Sequence, residues 1–489
     1  MTQGIRFGLV ALAAIALAAC GSSSNDDMGP STDDMEVGDT GEIRVWHLAE
    51  DAGAVDVFID GAATLEGFEF EQNTDFIELP AGSYDVAVAP AGAGIEAAVI
   101  TVDGFALGAG ERWTIIAAQL DSDAAADGAF AALPVEETSS PGDGEIAFRV
   151  FHAAYAVPAA VNVHNASDPN LPVIAGDLAQ GTVNASAIVV PSAAYSLGLD
   201  VDDDEIVDLV TAGPIDQPAG SARILAGAIS KAGEEPGEVE TEIVFLVNAG
   251  ETIHDEVELE EAELGELRFW HLAEDAGQVD IFLNGTAVAE NVSFEGNTAF
   301  APFLAGSFDV AIAPAGAGAG SAVIEVSNFP LGEGESYTLI AAQLLEDGTA
   351  AGAFAALPIL EDRSAPTQGV FYNVFHAAYA VPSAVNVHNV DGAQNPLRLE
   401  NIAQGTAAAT ILDVPNVGYT FGLDVDRDGA IDFQTESEVG PFAGAVQSVT
   451  LGAISKAGEE PGEVETEIVF LPGDGEMIHD EVELGPFGG

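Results

Sequence analysis

The chain repeats the stretch Glu42-Ile-Arg-Val-Trp-His-Leu-Ala-Glu-Asp-Ala-Gly-Ala-Val-Asp-Val-Phe-Ile-Asp-Gly61 nearly unchanged as Glu266-Leu-Arg-Phe-Trp-His-Leu-Ala-Glu-Asp-Ala-Gly-Gln-Val-Asp-Ile-Phe-Leu-Asn-Gly285. Looser versions begin at Phe148-Arg-Val-Phe-His152 and at Tyr372-Asn-Val-Phe-His376. Self-similarity at a regular interval is the sequence signature of a repeat architecture. The sequence therefore predicts four related modules, and the order of the copies indicates that a pair of modules was duplicated.

Short alternating runs of apolar and polar residues indicate β-strands within the modules. In Val55-Asp-Val-Phe-Ile-Asp-Gly61, alternation places the two Val and the Ile on one face, which we assign to the core. Asp60-Gly61 and the matching Asn284-Gly285 are typical of tight hairpin turns. Pro80-Ala-Gly82 has turn chemistry as well, and it predicts a β-hairpin between the runs on either side.

Short strands and frequent Gly and Pro turns, in units of roughly 100 residues, are typical of antiparallel β-sandwiches. We therefore expect an all-β protein of tandem sandwiches. The predicted organisation is a signal peptide at residues 1–19, a disordered tether at 20–41, and four modules at 42–138, 145–259, 266–362 and 369–489.

The N-terminus has the features of a bacterial lipoprotein signal. Arg6 precedes an apolar run that is too short for the roughly 20 residues needed to span a bilayer, so we interpret it as a cleaved signal. Leu17-Ala-Ala-Cys20 resembles a lipobox, and Cys20 is the single cysteine. We expect Cys20 to be lipidated and to anchor the protein to a membrane of the cell envelope. Gly21 after the cysteine favours the outer membrane or the cell surface.

The charge of the chain is extreme, with 81 acidic against 11 basic residues and a formal net charge of −70. Such a field repels nucleic acid and anionic membranes, so nucleic-acid partners are not expected. Metal ions and cationic partners are compatible with it. Adaptation to salty surroundings, where screening relieves self-repulsion, accounts for the same excess of acid.

The first and third modules resemble a bacterial family of unknown function, the domain-of-unknown-function family 4397. The resemblance rests on Arg44-Val-Trp-His47, Ala54-Val-Asp-Val-Phe-Ile-Asp-Gly61 and Leu79-Pro-Ala-Gly-Ser-Tyr84. The second and fourth modules share only the His start and the following strand. The resemblance implies immunoglobulin-like sandwiches in secreted or surface-anchored proteins, and it transfers no catalytic residues.

One histidine occupies the same place in every module, namely His47, His152, His271 and His376. A repeated position favours a structural role, because folds recur while functions are added locally. Near His47, Glu50 and Asp51 could suggest acid-base chemistry, but neither a nearby second His nor a Cys completes a zinc site. The aromatic residues beside these histidines could stack on carbohydrate or be buried between modules. Their apolar neighbours favour burial.

The strongest metal-site candidates are two acidic turns. Asp424-Val-Asp-Arg-Asp-Gly-Ala-Ile-Asp432 places Asp at positions one, three, five and nine of a loop that resembles the start of an EF-hand, with Gly at six. Asp200-Val-Asp-Asp-Asp-Glu-Ile-Val-Asp208 keeps the four Asp without the Gly. Thr occupies position twelve in both, where an EF-hand has Glu. Ca²⁺ binding and a solvated acidic turn are both compatible with these sequences. The predicted ligands are Asp424, Asp426, Asp428 and Asp432, and Asp200, Asp202, Asp204 and Asp208.

The sequence favours a non-enzymatic, lipid-anchored envelope protein that adheres to or binds a surface ligand, either glycan or protein, with Ca²⁺ as a stabilising ion. Linked weak sites gain avidity, so repetition suits such a role. One alternative is an envelope hydrolase acting on polysaccharide or peptide. Another is a structural stalk or a surface-layer component.

Overall fold

The computed structural model describes residues 40–486, except 127, 139–140, 158, 216–222, 234–237, 248–254, 363, 365, 368, 391–397, 409–411, 443–447, 459–462 and 473–479. The predicted signal peptide and the lipidation site Cys20 lie outside the described residues. No helix in the described ranges is long and apolar enough to cross a membrane.

The first two modules together form the first unit, and they contain strands β1 to β18. Module 1 comprises β1 (Thr40–Leu48), β2 (Val55–Ile59), β3 (Ala62–Phe68), β4 (Ile77–Pro80), β5 (Gly82–Pro90), β6 (Ile100–Leu107), β7 (Arg112–Gln119) and β8 (Phe130–Glu136), with 3₁₀ turns at Glu50–Ala52 and Ile95–Ala97. Module 2 comprises β9 (Glu145–Ala153), β10 (Val161–Asn165), β11 (Val173–Leu178), β12 (Thr182–Val183), β13 (Ile188–Pro191), β14 (Leu197–Asp200), β15 (Leu209–Thr211), β16 (Arg223–Ala232), β17 (Val239–Val247) and β18 (Asp255–Glu261).

The third and fourth modules form the second unit and repeat this order. Module 3 comprises β19 (Leu264–Leu272), β20 (Val279–Leu283), β21 (Thr286–Val292), β22 (Ala301–Leu304), β23 (Gly306–Pro314), β24 (Ile324–Leu331), β25 (Ser336–Gln343) and β26 (Phe354–Glu361), with 3₁₀ turns at Glu274–Ala276 and Ala319–Ser321. Module 4 comprises β27 (Val370–His376), β28 (Val385–Asn389), β29 (Arg398–Ile402), β30 (Thr406–Ala407), β31 (Leu412–Val414), β32 (Phe421–Asp424), β33 (Phe433–Thr435), β34 (Ser448–Ala457), β35 (Val464–Pro472) and β36 (Asp480–Pro486). The predicted all-β architecture with an internal duplication is confirmed.

Module 1 is a sandwich of two four-stranded sheets, in the orders β4-β1-β7-β8 and β3-β2-β5-β6, and module 3 repeats both. Strands β1 and β7 run parallel, whereas the other pairs of module 1 are antiparallel. An immunoglobulin constant domain places its first, second, fourth and fifth strands in one sheet. Here the first strand instead lies between the fourth and the seventh.

In module 2 the strands follow one continuous order, β11-β10-β14-β15-β18-β17-β16-β9-β12, with β13 also beside β9. Strand β18 pairs with β17 through residues 255–258 and with β15 through residues 259–261, so it passes from one sheet to the other. Module 4 uses β36 in the same way.

Two of the three residues assigned to the core face of β2 are fully buried, and the third, Ile59, is half-buried. Val55 and Val57 are each 1% exposed and pack against Val86 and Val88 of β5. The hairpin turn after β2 is confirmed, because Asp60 and the following Gly both adopt positive φ, at 50° and 78°. This is the conformation that an Asp-Gly pair favours.

The predicted hairpin at Pro80-Ala-Gly82 is wrong. Strand β4 pairs with β1 in one sheet, and β5 pairs with β2 in the other, so the turn joins the two sheets. The Tyr84 hydroxyl donates a hydrogen bond of 2.6 Å to the Pro80 carbonyl across this corner. Turn residues specify a chain reversal, but they do not specify the sheet in which the next strand finds its partner.

The two modules of a unit share a third hydrophobic core. The outer face of sheet β4-β1-β7-β8 contributes Trp46 and Ile116, and the β9-β16-β17 face of module 2 contributes Phe151, Leu225 and Val244. The second unit has the same core around Trp270 and Phe375. Because one sheet of each odd-numbered module is buried on both faces, the unit is a four-layered body.

The two units are joined by a short link, because β18 ends at Glu261 and β19 begins at Leu264. The Ala262 N–H donates to the Asp208 carbonyl at 2.8 Å. The side chain of Asn170 donates to the Ala287 carbonyl at 3.0 Å. Strand β1 begins at Thr40 and β19 at Leu264, each two residues before the expected start of its module.

Candidate functional sites

His47 closes the loop that follows β1. Its side chain is fully buried, and Nε2 lies 2.7 Å from the Gly53 carbonyl oxygen. The Ala49 N–H donates to Nδ1 at 3.3 Å, which requires an unprotonated Nδ1 and therefore a neutral ring with the proton on Nε2. Burial lowers the pKa of His47, and the hydrogen bond to Gly53 only partly opposes that effect. His47 is therefore a neutral residue that holds the following loop against the end of β1.

The histidines at the equivalent places make the same kind of contact. His271 Nε2 lies 2.6 Å from the Gly277 carbonyl, and His152 Nε2 lies 3.1 Å from that of Ala159. In module 4, His376 Nε2 lies 2.8 Å from the Val381 carbonyl. Burial lowers the pKa of all three, as it does for His47. Each ring therefore ties its strand to the loop that follows.

The acidic residues after His47 are also engaged in structural contacts. Glu50 Oε2 accepts a hydrogen bond of 2.8 Å from the Ala232 N–H, at the end of β16 in module 2. Asp51 accepts from the Gln119 side-chain amide at 2.7 Å and donates its own N–H to the Gln119 Oε1 at 3.0 Å. The His, Glu and Asp of the motif thus fix a loop and join it to the next module. They do not form an acid-base group around a shared opening.

The aromatic residues of the motif lie inside the core shared by the two modules. Trp46 and Phe151 are 0% and 1% exposed, and their rings meet edge to face at 5.6 Å. Trp270 and Phe375 repeat the contact at 5.8 Å. The prediction of burial between modules is confirmed, and these rings are not available to stack on a carbohydrate.

Sequence reasoning missed a carboxylate cluster at each module junction. Lys231 Nζ lies 2.8 Å from Glu242, 3.2 Å from Glu256 and 3.7 Å from Glu71 of module 1. Burial raises the pKa of Glu242, although the neighbouring ammonium group opposes that effect. Lys231 and its counterpart Lys456 are the two lysines of the chain, and this scarcity is the signal that could have singled them out.

The acidic turn of module 2 connects β14 to β15. Asp200, Asp202 and Asp208 bring carboxylate oxygens within 4.8 Å of one another. Asp204 is not part of this cluster, and its Oδ1 accepts from the Ile206 N–H at 2.9 Å. The Asp204 charge raises the pKa of Asp202. Three of the four predicted ligands therefore lie together, and Asp204 lies apart from them.

The acidic turn of module 4 connects β32 to β33 and has the corresponding cluster, Asp424, Asp426 and Asp432. Asp428 caps the Ala430 N–H at 2.8 Å and is not among the three. At position twelve, the Thr435 hydroxyl accepts a hydrogen bond of 3.1 Å from the Phe421 N–H. Both turns are β-hairpin connections without flanking helices, so the resemblance to an EF-hand is limited to three of the loop's ligand positions.

An open cavity of about 430 Å³ lies beside the turn of module 4. Its apolar lining includes Val425 of the acidic turn and the residues on either side of that turn, Leu423 and Phe433. Glu465 and Glu483 also line the cavity. An apolar interior with nearby carboxylates suits a ligand that combines an apolar part with a positive charge.

A family model described as Domain of unknown function (DUF4397) matches residues 41–164 and 265–388, which together make up half of the chain. Each match starts in the first strand of an odd-numbered module and ends in the second strand of the next module. The matched stretch therefore includes β9 or β27, the strand that carries Phe151 or Phe375. The match thus extends beyond the odd-numbered module and includes the strand of the next module that packs on its outer sheet.

Among curated proteins, no match to this chain is found. One solved structure that it resembles is described as the Bacillus anthracis TIE protein, at 16% sequence identity and a TM-score of 0.12. The alignment covers 62% of this chain and half of that one. A TM-score this low supports no argument about fold or function.

Proposed function

This chain belongs to the DUF4397 family, and on that premise we propose that it is a non-catalytic, lipid-anchored protein of the cell envelope that binds a surface ligand, a glycan or a protein. The proposal rests on the structural roles of the residues in the repeated motif. Trp46 of this motif is buried in the shared core, and His47 holds the loop that follows β1. Glu50 accepts a hydrogen bond from Ala232, at the end of a strand of the next module. The most repeated polar residues of the chain thus build a scaffold.

Duplication of the two-module unit supports multivalent attachment. Two linked copies convert a second binding event into an intramolecular one, which raises avidity by about 10²–10⁴ without any new contact. The net charge of −70 favours a ligand with positive charge. The cavity of module 4 is the place where such a ligand is best accommodated.

Attachment to the membrane is proposed through Cys20, whose lipid would hold the first unit outside the bilayer. Replacing Cys20 with Ala should release the protein from the membrane fraction of the producing cell, as measured by fractionation and immunoblotting. Retention of the Cys20→Ala protein in the membrane fraction would contradict the lipid anchor.

The binding role is tested with residues 21–489, the mature chain without the predicted lipidation site Cys20, applied to a glycan array and to purified envelope proteins. We expect saturable binding that is at least about 10²-fold weaker for a fragment containing only residues 40–262, because this fragment lacks both the cavity of module 4 and the gain in avidity from a second unit. Hydrolysis of a polysaccharide or peptide substrate is measured in parallel. Turnover that His47→Ala abolishes and His271→Ala leaves intact would establish a hydrolase and overturn the proposal.

A spacer or stalk is the second candidate, and the link between the units favours it. The link is short, its Ala262 N–H is bonded to Asp208 of the first unit, and the Asn170 side chain donates to Ala287 of the second unit. A stalk predicts no ligand in the binding screen and a fixed length in solution. Small-angle X-ray scattering of the mature chain should then give one maximum dimension that does not change with added ligand.

A further inference from the structure

The acidic turns of modules 2 and 4 follow the same backbone path. Asp200 and Asp424 each end a strand, and the turn returns through Leu199↔Leu209 or Leu423↔Phe433. Positive φ occurs at the same two places, Asp203 and Glu205 in one turn and Arg427 and Gly429 in the other. A comparison of the two turns therefore isolates the effect of their side chains.

In module 2 both oxygens of the Asp200 carboxylate accept hydrogen bonds from the protein. Asp200 Oδ1 accepts from the N–H groups of Asp203 at 2.7 Å and Asp202 at 3.3 Å. Its Oδ2 accepts from the Asn162 side chain at 3.1 Å and from the Glu205 N–H at 3.2 Å. An ionised carboxylate has about four acceptor sites, so the protein itself provides all the partners that Asp200 needs.

In module 4 the corresponding carboxylate has a free oxygen. Asp424 is 0% exposed, and its Oδ2 accepts from the Asn386 side chain at 3.0 Å and from the Gly429 N–H at 3.1 Å. Its Oδ1 is buried and has no hydrogen-bond partner. The Arg427 guanidinium points to a neighbouring strand, where its Nη1 donates to Asn401 Oδ1 at 2.8 Å, and among the described residues it makes no salt bridge with the cluster. A buried carboxylate oxygen without a partner is costly unless a cation binds it.

We propose that Asp424, Asp426 and Asp432 bind one hard divalent cation, Ca²⁺, and that the turn of module 2 does not bind it comparably. Three carboxylates and the carbonyl groups of a turn are the oxygen ligands that Ca²⁺ accepts in irregular geometry, whereas Mg²⁺ requires a near-ideal octahedron. Because Thr435 replaces the bidentate Glu of an EF-hand, we expect a dissociation constant of about 10⁻⁴–10⁻³ M, the range of extracellular modules.

Ion binding at this site would affect the shape of the neighbouring cavity. Leu423 precedes Asp424 and Phe433 follows Asp432, and both line the cavity of module 4. An ion held by this turn would fix the separation of the two strands that form that wall.

The test is calorimetric titration of the mature chain from residue 21 with CaCl₂ in 150 mM NaCl, which screens diffuse attraction to the acidic surface. We expect one site per chain. Asp426→Asn should weaken binding at least tenfold, because Asp426 is exposed and its loss leaves the fold intact. Asp202→Asn removes the same charge at the equivalent place in module 2 and should leave both affinity and stoichiometry unchanged. Circular dichroism without calcium checks that both variants are folded.

Equal losses of affinity in the two variants would overturn the proposal, because they would indicate general attraction to negative charge. Two equivalent sites per chain, or no heat at 10 mM CaCl₂, would overturn it as well. A parallel titration with MgCl₂ should give at least tenfold weaker binding, and equal affinity for the two ions would contradict the assignment of Ca²⁺.

Discussion

Replacing Phe151 with Ala tests whether the first two modules fold as one body. Phe151 is 1% exposed, its ring meets Trp46 edge to face, and the ring lies so close to Gly227 that a Cβ there would be 2.4 Å away. The space left by the ring is enclosed by both modules and can collapse only partly. Buried Phe→Ala replacements cost about 3–5 kcal/mol, and we expect a loss in this range for the free energy of unfolding of the first unit.

The assay is urea unfolding of the mature chain in a Trp270→Phe background. The tryptophan signal then comes from Trp46 and Trp113, which both belong to module 1, whereas the mutation is in module 2. Val189→Ala, at a module 2 side chain that is 51% exposed, is the control and should change the free energy of unfolding by less than about 0.5 kcal/mol. If Phe151→Ala left the tryptophan transition in place while module 2 unfolded earlier by circular dichroism, the shared-core argument would be refuted.

Three further predictions concern single residues. His47 has a lowered pKa, so the unfolded chain binds more protons near its ordinary pKa of about 6.5. The stability advantage of wild type over His47→Asn, measured by urea unfolding, should therefore shrink as the pH falls from 7.5 to 5.5, and an unchanged difference would contradict the buried neutral ring. Lys231→Met should destabilise the first unit by about 3 kcal/mol at pH 8. The loss should be smaller at pH 5.5, because burial raises the pKa of Glu242 and a lower pH shifts this carboxyl towards its neutral form. Equal losses at both pH values would argue against the charge cluster. Glu205 has φ of 69° where module 4 has Gly429, so Glu205→Gly should stabilise by about 1 kcal/mol, and a lower thermal midpoint would contradict this.

The features that sequence predicted correctly are those decided locally or by repetition. The burial of Val55 and Val57 was predicted from alternation, and the turn after β2 was predicted from Asp60-Gly61. Both features depend only on a few neighbouring residues. The burial of Trp46 followed from the apolar residues on either side of it. Comparison of the copies also indicated correctly that a pair of modules is the duplicated unit.

The features that sequence could not supply depend on which distant strands become neighbours. The corner at Pro80 has the composition of a hairpin turn, and only the pairing of β4 with β1 reveals that it crosses between sheets. The pairing of β18 with two sheets, and the meeting of Glu71 with Lys231, require contacts between residues far apart in the chain. Likewise, spacing alone does not indicate that Asp428 turns back to cap Ala430.

The distribution of positive charge connects the scaffold with the proposed ion site. At each module junction, three glutamates surround one lysine, as in the group formed by Glu295, Glu467, Glu481 and Lys456. The ammonium group is covalently attached, so it offsets part of the carboxylate charge at the junction in any medium. Within the described part of the chain, the Asp424 cluster makes no salt bridge with Lys or Arg. If the proposed Ca²⁺ balances this charge, the stability of module 4 should depend on the ionic composition of the surroundings more strongly than that of the junctions.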